Sequence, residues 1–153
     1  MVLDLIKIES TPDLVEQVYA SLPDTLAAQL AARTFYRLDL QLLTRGRLAA
    51  RGRDIKAMMA ADAAFHTAIY VASGNPLIMQ TAQTHWLHIR RAMGAVLQVS
   101  TTRESIWDEP EAIAKAIARG DEDQAEKLIR QHGEDAGQNL ATLLTKAIQQ
   151  NAR

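Results

Sequence analysis

The chain of 153 residues contains no cysteine, only 5% aromatic residues and no excess of charge of either sign. The absence of cysteine excludes disulfides, cysteine zinc sites and thiol catalysis. Its 17 Lys and Arg against 18 Asp and Glu give a net charge of −1, so no general positive surface attracts nucleic acid. No apolar run approaches the ~18 residues of a membrane span, and the start of the chain is too short and too acidic for a signal peptide. We therefore expect a cytoplasmic protein that does not associate with membranes.

What the chain has in abundance is alanine, with 26 residues, in a sequence that is 48% hydrophobic. Alanine is the best helix former, whereas strands favour β-branched and aromatic residues, and no stretch alternates apolar and polar residues for long. The sequence predicts an all-α fold, an antiparallel bundle of six or seven helices with short connections. The arginine-rich tract TRGRLAARGR (44–53) contains two glycines and is predicted to be a helix end followed by a loop.

The four histidines are the most informative residues for function. Asp62 and His66 stand four residues apart on one predicted helix, so their side chains share a face. This spacing is typical of an ion pair and also suits a shared divalent metal, and alone it does not decide between them. His85 falls where the apolar pattern of its helix requires an inward-facing residue.

Two longer motifs, in order along the chain, resemble those of a known family. The stretch DAAFHTAIYVASGNPL (62–77) is similar to the first signature of the FCD ligand-binding domain in FadR-type GntR transcription regulators. The stretch AIAKAIARGDEDQAEKLIRQH (112–132) is similar to the second signature, and LAART (30–34) fits the first helix of that family. The resemblance spans about residues 24–145.

The resemblance implies an all-α bundle that binds a small carboxylate metabolite in a central cavity, in many members through a divalent metal held by one Asp and three His. Asp62, His66 and His132 correspond to three of these ligands, but the fourth position is Pro110, which has no ligand atom. Two outcomes stay open. Zinc or nickel is held by three protein ligands, with His85 as a candidate substitute, or the metal is lost and an organic acid binds directly.

The resemblance also implies which residues contact the effector. An arginine from the helix after the first signature often binds the effector carboxylate in this family, so Arg90 and Arg91 are candidates. We add His85 and the signature residue Asn75 to this candidate set.

The sequence therefore predicts the effector-sensing domain of a transcription regulator rather than an enzyme. The alternatives are a metabolite-binding module without a regulatory role and, third, a metal-dependent hydrolase. Within residues 1–22, the stretch TPDLVEQVYASL (11–22) resembles the first helix of a winged helix-turn-helix, and residues 23–153 form the predicted FCD-like domain. Because no recognition helix is evident, DNA binding would require a winged-helix segment not present in this chain. A homodimer is also expected, with Leu97, Val99 and Trp107 as spare apolar positions.

Overall fold

Polar capping residues and glycines separate the helices of this chain. The computed structural model describes residues 11–96 and 104–153. This described part contains seven α-helices and no strand, so the predicted all-α bundle is confirmed. The helices are α1 (Pro12–Ala20), α2 (Asp24–Arg33), α3 (Leu40–Arg51), α4 (Ile55–Ala72), α5 (Pro76–Val96), the short 3-10 helix Glu104–Trp107, α6 (Asp108–Ala118) and α7 (Glu122–Asn151).

Side-chain caps set where several helices begin. Thr11, Asp54 and Asp121 each accept a hydrogen bond from the backbone N–H three residues further along, at 3.0 to 3.2 Å, and so satisfy an N–H that the helix leaves free. Gly74 and Gly120 adopt a φ of +72°, the left-handed conformation that follows many helix ends and favours glycine.

The alanine-rich helix α2 lies at the centre of the bundle, packed against α4, α6 and the 30-residue α7. Ala27, Ala28, Ala31 and Ala32 are fully buried, and their small side chains let the neighbouring helices approach closely. Seven larger side chains fill the rest of the core almost without exposure: Phe65, Ile69, Ile89, Ile113, Ile117, Ile129 and Leu144. This close packing explains why the chain needs so much alanine and so few aromatic residues.

Helix α1 packs against α5 and α7 and contributes Val15 and Tyr19 to the same core, and Leu22, just after the helix, joins them. The stretch 11–22, which resembles the start of a winged helix-turn-helix, therefore packs against the helical bundle in this structure. Within the described residues, no helix combines the length and the apolar character that crossing a membrane requires.

The arginine-rich tract differs from its prediction, because helix α3 continues through it to Arg51. Gly46 lies inside this helix, where a Cβ would stand 2.1 Å from the ring of Trp107. The indole packs against the bare backbone, so Trp107 is buried and isn't a spare apolar position for a dimer. Leu97 and Val99, the other two positions named for the dimer, lie outside the described residues.

Replacing Gly46 with alanine should destabilise the protein by about 1–3 kcal/mol, because the added methyl group displaces the Trp107 ring and this outweighs the better helix propensity of alanine. Urea unfolding followed by circular dichroism measures the change. Gly94→Ala is the matched control, since no described atom outside its own helix backbone and chain neighbours lies within 4 Å of its Cβ position, and it should stabilise by up to about 1 kcal/mol. Equal effects of the two substitutions would contradict the packing described for Trp107.

Candidate metal centre

A cavity of about 290 Å³ lies inside the bundle, between α4, α6 and α7, with Tyr19 of α1 and Asp24 of α2 also in its wall. Most of the wall is apolar, including the methionines Met58, Met59 and Met93. Polar side chains interrupt this surface, and the cluster that can hold a metal lies among them.

The structure brings Asp62, His66 and His132 together from two helices that are far apart in sequence. Each side chain offers one ligand atom, and these three atoms lie within 4.8 Å of one another. His66 Nε2 is 3.5 Å from Asp62 Oδ1, and the two imidazole rings stack with their centroids 5.6 Å apart. Carboxylate oxygen and imidazole nitrogen are donors that zinc and nickel accept, so the chemistry of the set fits a divalent metal.

Asp24 is a part of this site that the sequence analysis missed. His66 Nδ1 donates a hydrogen bond to Asp24 Oδ2 at 2.7 Å, so the other ring nitrogen of His66 is directed at Asp62. Tyr70 donates its hydroxyl hydrogen to Asp24 Oδ1 and accepts one from Trp86 Nε1 at 2.8 Å. A carboxylate on the second nitrogen of a ligand histidine fixes its tautomer and orientation in known metal sites.

The second histidine has a similar partner. His132 Nδ1 donates to Glu109 Oε2 at 2.7 Å, and the hydrogen bond, against partial burial, holds the pKa of Glu109 below its usual value. Glu109 is half exposed, whereas the side chain of His132 is largely buried. Both histidines therefore have one nitrogen engaged by a carboxylate and the other available for the cluster.

The two aspartates also control the charge of His66. Burial by itself lowers the pKa of this histidine, but the charge and hydrogen bond of Asp24, followed by those of Asp62, raise it to about 10. Burial by itself raises the pKa of Asp62, yet the hydrogen bond with His66 and the positive charges of His66 and His132 hold it below its ordinary value. The raised pKa favours the doubly protonated ring, so a divalent metal would have to displace a proton from His66 Nε2.

A protein-family model described as "FCD domain" matches residues 24–135 of the chain, which include all three cluster residues. The chain belongs to the FCD family. FCD domains are the C-terminal effector-binding domains of FadR/GntR-type regulators, with a regulatory rather than a catalytic role. No curated protein and no solved structure matches the chain.

The position at which the resemblance implies a fourth FCD ligand is occupied by Pro110. It is buried in the first turn of α6, where proline is tolerated because that N–H has no partner in the helix, and it lines the cavity. The side chain of Pro110 carries no atom that could bind a metal.

His85 does not line the cavity. On α5 the neighbouring residue, Trp86, is the one that is buried. The ring of His85 instead bonds through Nδ1 with the Thr81 carbonyl at 2.8 Å. The apolar pattern correctly places Ile78 and Ile89 in the core, but His85 lies at the edge of that face and is only half-buried.

The other predicted effector residues also lie outside the cavity wall. Asn75 accepts a hydrogen bond from Leu77 N at 3.0 Å at the start of α5, and Arg90 and Arg91 are exposed on that helix. Their role in effector binding stays a prediction, and the cavity is formed by other side chains.

The raised pKa of His66 predicts how the stability of the metal-free protein depends on pH. The folded-state pKa of about 10 exceeds the ordinary 6.5, so protonated His66 stabilises the fold below pH 6.5 and loses this effect as the pH rises towards 10. The stability advantage of the wild type over His66→Gln should therefore shrink between about pH 7 and about pH 10. Urea unfolding in the presence of a chelator measures it, and an advantage that grows with pH would contradict the assignment.

Proposed function

We propose that the protein is the effector-sensing domain of a GntR/FadR-type transcription regulator and that it binds a small carboxylate metabolite through a divalent metal ion, zinc or nickel. Asp62, His66 and His132 are the proposed ligands. The observation that carries the proposal is the convergence of these three side chains in a cavity, with both histidines oriented by a carboxylate. A bound ion would supply positive charge and an open coordination position for the effector.

The charges of the cavity wall favour this mode over an arginine-based site. Four carboxylates line the cavity, those of Asp24, Asp62, Glu109 and Asp135, and among its described wall residues there is no Lys or Arg. An anionic effector entering the metal-free cavity would meet this negative charge, and among the described wall residues only His66 and His132 could offset it. The carboxylate therefore needs the metal, and we propose that effector binding is metal-dependent.

The apolar part of the wall indicates what else the effector carries. The largest part of the wall is apolar, with Met58, Met59, Met93, Leu140 and Leu143, and the carboxylates among its polar groups would repel a second carboxylate on the effector. Flexible methionines adapt to ligand shape at binding surfaces. These residues favour a monocarboxylate with an apolar body, sized for a cavity of about 290 Å³.

Zinc binding should depend on the cluster and not on histidine in general. By isothermal titration calorimetry, His66→Ala should lower zinc affinity at least tenfold, as expected for a lost ligand. His85→Ala is the matched control, because His85 lies outside the cavity wall, and it should leave the affinity unchanged. Unchanged zinc affinity in His66→Ala would show that the cluster does not bind metal.

Two further features of the same titration follow from the site. Zinc affinity should rise about tenfold or more per pH unit between pH 6.5 and pH 8.5, because His66 must lose the proton from Nε2.

Pro110→His should tighten zinc binding, since it adds a ligand atom to the cavity wall in a helical turn that accepts most residues.

We also propose that the protein forms a homodimer, since regulators of this class often dimerise. In that dimer, DNA would be contacted by a winged-helix segment. Sedimentation velocity at high micromolar concentration should show a species of twice the chain mass of 16.9 kDa. Observation of the 16.9 kDa species alone would contradict the dimer.

A further inference from the structure

Tyr19 stands where helix α1 meets the cavity. Its ring packs on α7 at Gly137, where a Cβ would lie 3.1 Å from the Tyr19 Cβ and 3.3 Å from its Cγ. The ring therefore has little freedom to move away from α7. Tyr19 lines the cavity that holds the metal cluster and also a second cavity of about 520 Å³ between α1, α2 and α7.

The Tyr19 hydroxyl makes no hydrogen bond with any residue that the structure describes, although the residue is only 9% exposed. The other buried tyrosine, Tyr70, donates to Asp24 and accepts from Trp86. The hydroxyl oxygen is not among the fully buried atoms that lack a partner, so it is open to cavity space and can donate to a molecule bound there.

The hydroxyl also stays protonated, and so remains a donor. Burial, together with the negative charges of Asp62 and Asp24, raises the pKa of Tyr19 above its ordinary value. The same two carboxylates belong to the metal site and its surroundings. Tyr19 also lines the same cavity as the three cluster residues, so a ligand that fills this cavity would meet both.

We propose that the Tyr19 hydroxyl donates a hydrogen bond to the carboxylate ligand in the cavity and thereby couples ligand binding to the docking of helix α1. The proposal rests on the proposed function, because the ligand is the metal-bound monocarboxylate described above. When the ligand is bound, this hydrogen bond stabilises the docked position of α1. By thermodynamic linkage, docking of α1 then raises the ligand affinity by the same factor by which the ligand favours docking.

The test compares the wild type with Tyr19→Phe after loading with zinc, using octanoate and 3-phenylpropionate as probes in calorimetry. Tyr19→Phe should bind zinc with unchanged affinity and bind at least one probe about tenfold more weakly, as expected for one lost hydrogen bond. The metal-free variant should be as stable as the wild type, because the removed hydroxyl has no partner. Tyr70→Phe, which loses two hydrogen bonds, should be clearly less stable, and Tyr36→Phe, which lies outside the cavity wall, should change neither property.

Hydrogen exchange of the amides in α1 tests the coupling. Probe binding should slow exchange of residues 14–20 in the zinc-loaded wild type, and a saturating probe should slow it less in Tyr19→Phe. Failure of the wild type to bind zinc would overturn the proposed function and this inference together. Zinc binding without binding of either probe, or equal probe affinity in Tyr19→Phe, would overturn the inference while leaving the metal site in place.

Discussion

The buried hydrogen bond between Asp24 and His66 is the interaction on which the site depends. A carboxylate taken out of water must be paired, and Asp24 at the start of α2 uses both oxygens, one for His66 and one for Tyr70. Through Tyr70 the same network reaches Trp86 on α5. Three helices are thereby tied together, and the direction of the His66 ring is fixed by the fold rather than by the metal.

This fixed arrangement has an electrostatic cost that shapes function. Asp24, which orients His66, and Asp62 also favour its protonated form, so a metal at the proposed site would have to compete with a proton. The same carboxylates make the metal-free cavity unfavourable for an anion. Positioning and charge thus act together in the proposed site, where a cation would offset the carboxylates before an anionic ligand binds.

The segment around Pro110, where the resemblance implies a fourth ligand, is held by packing and ion pairs. Arg47 of α3 bonds with Asp108 at 2.8 Å and with Glu111 at 2.5 Å, and Trp107 packs under Gly46 of the same helix. These contacts fix the first turn of α6 around Pro110. Glu109 in that turn contributes to the site through His132, as an orienting carboxylate.

Local patterns in the sequence determined the helices and half of the site. Cap residues such as Asp121 and the spacing of Asp62 and His66 act within one or two turns, where the geometry of the helix is known in advance. The approach of His132, the pairing of His66 with an aspartate 42 residues upstream and the inward turn of Trp86 in place of His85 depend on how helices pack. Helical periodicity fixes which residues share a face, but the rotation and spacing of each helix against its neighbours are set by interlocking side chains across the whole core. The sequence therefore determined the family, the helices and the candidate ligands, whereas only the tertiary structure decided which side chains meet in the cavity.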